Sequence, residues 1–230
     1  GAEYKQAQVY GISMSDTEKI VYTPEGTFVG KTLVLATGAM GRASTLPGEN
    51  EFLGRGVSYC ATCDGAFYKN QEVVVYGSNQ EAIDEALVLT KFASTVHWVT
   101  NNKPNLNSVE VQILLDSSNV KHWKRTRLNS IEGDENGVAS VKVQSFGQDN
   151  TQEIFVQGAF VYSTGSLPIT DYLQEQIPIN ANGGVRVNND MMTDVEGVWA
   201  IGDIRNTPFK QAVVACSDGC IAAMAIDKYL

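Results

Sequence analysis

The run Val73-Val74-Val75-Tyr76 restricts the fold more than any other feature of the chain. It is short, apolar on both faces and stops at Gly77, which is how a strand buried on both sides of a parallel sheet reads in sequence. Beyond the glycine, Ala82, Ile83, Ala86, Leu87 and Phe92 recur near helical spacing, and residues 96–100 return to strand character. Strand, glycine turn, helix and strand make a βαβ half-unit, which buries its sheet beneath helices. Two further apolar runs end the same way. Leu33-Val34-Leu35-Ala36 meets Thr37-Gly38-Ala39, and Val198-Trp199-Ala200-Ile201 meets Gly202-Asp203. Residues 7–13 and 27–37 read as strands and residues 210–229 as a final helix. Residues 119–163 read as an antiparallel meander cut by Gly-Asp-Glu-Asn-Gly and Gly-Gln-Asp-Asn turns.

Segments 44–56 and 163–168 are rich in turn residues and read as linkers. They bracket a middle module at 45–163 and leave 1–44 with 164–230 as one discontinuous domain. The expected class is α/β in two domains, the middle one Rossmann-like with an added meander.

Composition removes several functions. Seventeen Lys and Arg against 26 Asp and Glu leave a formal charge of −9, which argues against binding nucleic acid or an anionic membrane, since both need clustered cations. No apolar stretch approaches the roughly 18 residues of a membrane span, and no basic-then-apolar leader is visible, so a cytoplasmic protein is expected. Four cysteines are too few for a disulfide scaffold. Cys60 and Cys63 form a C-x-x-C, a spacing that lets two sulfurs meet at a turn or helix start, where backbone amides favour the reactive thiolate. Half a zinc site is the alternative, but His97 and His122 are scattered and read as ordinary strand residues, so no metal is expected. Cys216 and Cys220 lie four residues apart on the last helix among Ala215, Ala222 and Ala223, and read as core.

The run Cys60-Ala61-Thr62-Cys63-Asp64-Gly65 resembles the redox motif of the low-molecular-weight, FAD-dependent thioredoxin reductases. Leu35-Ala36-Thr37-Gly38-Ala39, Gly202-Asp203 and Gln211-Ala212-Val213 match the same family's FAD-domain patterns in order. The resemblance spans nearly the whole chain and implies two Rossmann-like domains, the outer segments binding FAD and the middle module a pyridine nucleotide. It implies that Cys63 takes electrons from the flavin, Cys60 attacks a thioredoxin-like protein disulfide, and Asp64 manages the thiol proton. It places FAD at Thr37, Gly38, Ala39, Gly202, Asp203, Lys210, Gln211 and Ala212, where a helix start faces a reduced, anionic ring. Lys210 stands where the family commonly has Arg. A homodimer is also implied.

Two departures bear on the electron donor. Family members begin with a G-x-G-x-x-G βαβ unit for the FAD pyrophosphate, and Gly1 falls just past its place. A truncated, cleaved or incompletely represented chain is expected rather than a natural exception, because a sheet without its first strand leaves a bare edge. The middle module reads Gly77-Ser78-Asn79-Gln80-Glu81, with Asn79 replacing a glycine that lets backbone approach a pyrophosphate. After the second strand, Asn101-Asn102-Lys103 stands where NADPH-using members carry several arginines. Two lost charge-assisted bonds at about 1.5–3 kcal/mol each remove roughly 10²–10⁴ in affinity. The expectation is therefore a disulfide oxidoreductase fed by something other than NADPH, either ferredoxin or a second flavin in the middle domain. A conventional NADPH-dependent reductase and a redox-inactive nucleotide-binding scaffold are the alternatives.

Overall fold

The computed structural model describes residues 1–39, 46–163, 167–181 and 183–230. The chain forms two compact units, Gly1–Gly41 with Ser166–Leu230, and Arg42–Gly165. The expected boundaries at 44–45 and 163–164, and linker residues 44–45 and 164–166, fall on or beside residues outside the described set.

In the first unit, β1 (Gly11–Met14), β2 (Lys19–Thr23) and β3 (Gly26–Gly30) form an antiparallel sheet in that order. The strand expected over residues 7–13 begins only at Gly11. The expected strand over 27–37 is two strands, because the chain turns at Lys31–Thr32 and starts β4 (Leu33–Leu35) in a different sheet.

The second unit has three layers. Its central sheet is parallel throughout, in the order β5 (Val57–Ser58), β12 (Gly158–Val161), β6 (Glu72–Tyr76), β7 (Thr95–Thr100), β8 (Val120–Lys124). Short α1 (Ala61–Asp64) follows β5, α2 (Gln80–Leu89) joins β6 to β7, and α3 (Val109–Asp116) joins β7 to β8. Alternation along the strands divides the core. Val73, Val75, Val96, Trp98 and Phe160 pack with Ala82, Ala86, Leu89 and Leu114 of the helices. Val74, Tyr76, Val99, Ala159 and Val161 pack with Leu128, Ile131, Val141, Val143 and Ile154 of a second, antiparallel sheet. That sheet is β9 (Thr126–Asp134), β10 (Gly137–Ser145) and β11 (Gln152–Phe155). Each buried Val, Leu or Phe contributes about 1.5–3 kcal/mol, so both faces of the parallel sheet are needed to hold it.

Three expectations change here. The meander is only β9–β11; β8 and β12, at the ends of the segment read as meander, belong to the parallel sheet. The reason for β8 is α3, a crossover helix that returns the chain parallel, begun where the Ser108 side chain accepts the Val111 N–H. Helix α2 stops at Leu89, short of Phe92. The described part of the first linker, residues 46–56, is a packed strap: Phe52 is buried, and Pro47 and Arg55 carbonyls accept from Ile131 and Val138. Its glycines provide tight turns, as at Gly48 (φ 84°), where a Cβ would lie 2.0 Å from the Ile131 carbonyl oxygen.

The chain returns to the first unit and closes it with β13 (Val198–Ala200), parallel to β4, and α4 (Ala212–Tyr229). Ile12, Leu35, Leu173, Ile177, Val185, Val198 and Ile204 form the core beneath this sheet. Among the described residues no helix is long and apolar enough to cross a membrane.

Candidate active site

The C-x-x-C stands at the start of α1. Cys60 is the N-cap in extended conformation, and the turn brings the Cα atoms to 5.2 Å, so that Cys60 and Cys63 are joined as a disulfide. The Cys63 N–H points at the Cys60 sulfur at 3.1 Å. Asp64 is linked to the same turn through Ser58, whose hydroxyl donates to the Asp64 carboxylate at 2.6 Å and accepts from the Cys60 N–H at 3.1 Å. Cys60 is half-buried and Cys63 exposed. Burial, aided by the Asp64 charge, pushes the nearby Tyr68 phenol up.

The sequence reading missed Glu85. Its carboxylate comes from α2, 24 residues along the chain, and accepts from the Ala61 N–H and, at 3.2 Å, from the Thr62 N–H. The Tyr162 hydroxyl donates to the same oxygen at 3.4 Å. Burial pushes the Glu85 carboxyl up, and the two amides and the phenol pull it partly back. The signal in the sequence is its position, a carboxylate on the same helical face as Ala82 and Ala86.

The glycine turn after β6 has the form expected of a Rossmann half-unit. Gly77 has φ 152°, and a Cβ there would lie 2.9 Å from both the Ala82 Cβ and the Tyr162 carbonyl oxygen. Asn79 caps α2: its side-chain oxygen accepts from Ala82 N–H at 2.9 Å and its amide donates to the Tyr162 carbonyl at 2.8 Å. The cap occupies one of the amides that the start of α2 could offer a phosphate. Ser78 lies within this turn, and Gln80 and Glu81 form the first turn of α2, with Gln80 donating to Asp84 at 2.8 Å. Asn101, Asn102 and Lys103 follow β7, with the Asn101 side chain accepting from Asn102 N–H at 2.9 Å. The tertiary structure adds cations there. Thr100 pairs in register with Lys124, and Arg125 follows in a left-handed turn (φ 50°).

In the other unit, a cleft of about 190 Å³ is lined by Gly38, Ile201, Gly202, Asp203, Gln211 and Ala212, among others. Gly38 and Gly202 both have φ 69°, and a Cβ on Gly38 would enter open space, so bare backbone faces the cleft. The start of α4 borders it, without a side-chain cap from Gln211. Thr37, Ala39 and Lys210 are beside the lining residues rather than among them; Thr37 instead donates to the Ile169 carbonyl at 3.0 Å. Behind the cleft, buried Asp218 of α4 accepts from the Gly202 N–H at 3.0 Å and holds Arg205 by two contacts, one of them 2.9 Å. A larger cleft of about 440 Å³ beside Trp199 and Tyr229 holds none of the motif residues.

Cys216 and Cys220 are free, exposed thiols, not core. The inward stripe of α4 runs through Asp218 and Ala222, and positions two residues away on a helix face the opposite side.

The profile of the Pyridine nucleotide-disulphide oxidoreductase family matches residues 4–219. A thioredoxin reductase from Aquifex aeolicus is 39% identical over the whole chain, covering 72% of that protein. A thioredoxin reductase structure from Gloeobacter violaceus is 59% identical over 98% of this chain and 71% of that one, with a TM-score of 0.57. The thioredoxin reductase of Giardia duodenalis is 29% identical over 100% of this chain and 76% of that one, with a TM-score of 0.91.

Proposed function

The chain belongs to the thioredoxin reductases of the pyridine nucleotide-disulphide oxidoreductase family, and from that premise we propose that its dithiol reduces a thioredoxin-like protein disulfide with electrons that do not come from NADPH. The chain is a flavin-dependent disulfide oxidoreductase carrying the Cys60–Cys63 disulfide. FAD is the family's cofactor and, when bound, supplies the two electrons that open the Cys60–Cys63 bond. The residues present fit it: the left-handed Gly38 leaves backbone open to the cleft, Asp203 offers a carboxylate, and the α4 start offers amides. On this reading Gly1–Gly41 with Ser166–Leu230 is the FAD-binding unit, Arg42–Gly165 the nucleotide-type unit, and the protein works as a cytoplasmic homodimer.

The observation that carries the exchange step is the disulfide at an N-cap with Asp64 one hydroxyl away. In the reduced state the Cys60 thiolate attacks one sulfur of the partner's disulfide and expels the other as a thiolate. Cys63 then attacks the Cys60 sulfur, re-forms the bond and releases the second partner sulfur. The two protons that leave Cys60 and Cys63 end on the partner's two thiols, and Asp64, held by Ser58, is placed to carry one of them. Cys60→Ser should abolish partner reduction while the flavin stays bound; undiminished turnover would remove Cys60 from this role.

The reading of the donor is supported by Asn79, which occupies an amide at the head of α2, and by Asn101 and Asn102 in the place of arginines. Ferredoxin or a second flavin at the Gly77–Glu81 turn is the proposed source. One observation favours the second reading, a conventional NADPH-dependent reductase: Lys124 and Arg125 follow directly beside Thr100 and add positive charge to Lys103. Anaerobic titration of the FAD-loaded protein with NADPH separates the two. Flavin bleaching by dithionite but not by NADPH is expected; prompt stoichiometric bleaching by NADPH establishes the second reading.

A further inference from the structure

An N-cap cysteine ordinarily draws on the free amides of the first helical turn, and these stabilise its thiolate. In this chain the Ala61 and Thr62 amides already point at Glu85, leaving the Cys63 N–H on the Cys60 sulfur. While the disulfide is closed there is no conflict, because neither sulfur carries charge. Once it is reduced, a Cys60 thiolate and the Glu85 carboxylate are two anions around one set of amides. We infer that Glu85 is a positioning residue for the exchange reaction, holding the C-x-x-C backbone in place while its charge restrains Cys60 from ionising.

The inference rests on the reading of Cys60 as the attacking thiol. The other charged and titratable groups facing the site are Asp64 of α1, tied to Ser58; Glu81 of α2, whose charge acts on Glu85; Tyr162 at the end of β12, which donates to Glu85; and Tyr68, facing Asp64. Asp64 and Glu81 add negative charge, so none of these groups cancels the effect of Glu85. Because burial raises the Glu85 carboxyl, the restraint is released as pH falls and Glu85 takes up its proton. A neighbouring like charge that raises a thiol by about one unit reduces its thiolate population about tenfold. Part of the gain on removing it is offset, because a more acidic thiol is a poorer nucleophile by a factor of about three. The net expectation is about threefold.

The experiment uses the FAD-loaded chain reduced with dithiothreitol and freed of excess thiol, then pulsed with iodoacetamide between pH 4.5 and 9.5. Mass spectrometry assigns the label to Cys60 or Cys63. Glu85→Gln preserves shape and can accept from the same two amides, so only the charge is lost. Cys60 should then alkylate about three times faster than in the parent at pH 7. The ratio should fall towards one as pH drops and Glu85 takes up its proton; as the sulfur becomes fully ionised at alkaline pH it should pass below one towards about one third, because only the loss of nucleophilicity then remains. Glu85→Asp keeps the charge and shortens the reach, so a charge effect leaves it nearer the parent rate than Glu85→Gln. The reverse order, or an unchanged rate in Glu85→Gln, overturns the inference. If Glu85→Gln does not fold, Glu85→Asp carries the test: the charge is still present, so Cys60 alkylation three or more times faster than in the parent at pH 7 overturns the inference. If Cys63 rather than Cys60 reacts faster in the parent, the assignment of the attacking thiol fails instead.

Discussion

Asp218 holds the turn that carries Gly202 and Asp203, and its replacement by Asn tests how that cleft is maintained. The Asp218 side chain is 4% exposed, and its two oxygens accept from the Gly202 N–H and from both Nε and Nη2 of Arg205, a side chain only 16% exposed. Removing one member of a buried pair costs about 3–5 kcal/mol, because the remaining charge is left without its partner. Asn keeps the volume and one acceptor oxygen, so the expected loss is smaller, about 2–3 kcal/mol. At a urea slope of about 1–3 kcal/mol/M, the unfolding midpoint should fall by roughly 0.7–3 M. Hydrogen exchange locates the effect: protection at the Gly202 and Arg205 amides should fall at least tenfold, while the β6 and β7 amides of the other unit stay unchanged. The double variant Asp218→Asn with Arg205→Gln should cost little more than the single one, since the orphaned guanidinium is gone. A midpoint within 0.3 M of the parent (an allowance of about 0.5 kcal/mol), or fully additive losses, would refute the account of this clamp.

Three further outcomes are expected. Gly77→Ala should destabilise the nucleotide-type unit by about 3 kcal/mol in denaturant unfolding, combining backbone strain with two 2.9 Å contacts to the new Cβ; a loss under 1 kcal/mol contradicts the turn geometry. His122 is held down to about 4 by burial and then by Lys124, from an ordinary 6.5. Between those values the unfolded chain takes up a proton that the fold refuses, so stability is complete above pH 6.5 and declines as pH falls towards 4. The loss is at most about 3–4 kcal/mol and is reduced by solvent screening of this half-buried ring, and His122→Gln should flatten the stability curve in that window only. Cys216→Ala and Cys220→Ala should each change stability by less than about 0.5 kcal/mol, and both thiols should react with a thiol reagent in the folded, oxidised protein. Slow reaction that requires unfolding would return them to the core.

The parts of this protein that could be read from its sequence are those governed by neighbours along the chain. The strands at Val73 and Val198 are visible because an apolar run of that length, stopped by glycine, has few other uses. The same holds for the disulfide, since three-residue spacing at a helix start brings the sulfurs together. Asn79 illustrates the limit of such reading. Its replacement of a glycine was legible, but its capping of α2 and its bond to Tyr162, 83 residues away, were not.

Local sterics and period-two or period-3.6 patterning thus settled, from the sequence alone, that this is an α/β chain with a C-x-x-C beside a glycine turn. Tertiary structure decided what surrounds those features. The direction of β8 depended on the short crossover helix α3, which carries too weak a pattern to be seen. The orientation of Cys216 and Cys220 depended on which stripe of α4 is drawn inward, and buried Asp218, by binding Gly202 and Arg205, chose it. Glu85 reached the disulfide only because the parallel sheet brings α1 and α2 side by side. The physical reason is common to all three: a side chain's partner across the fold is set by packing between distant segments, and no local period in the sequence records it.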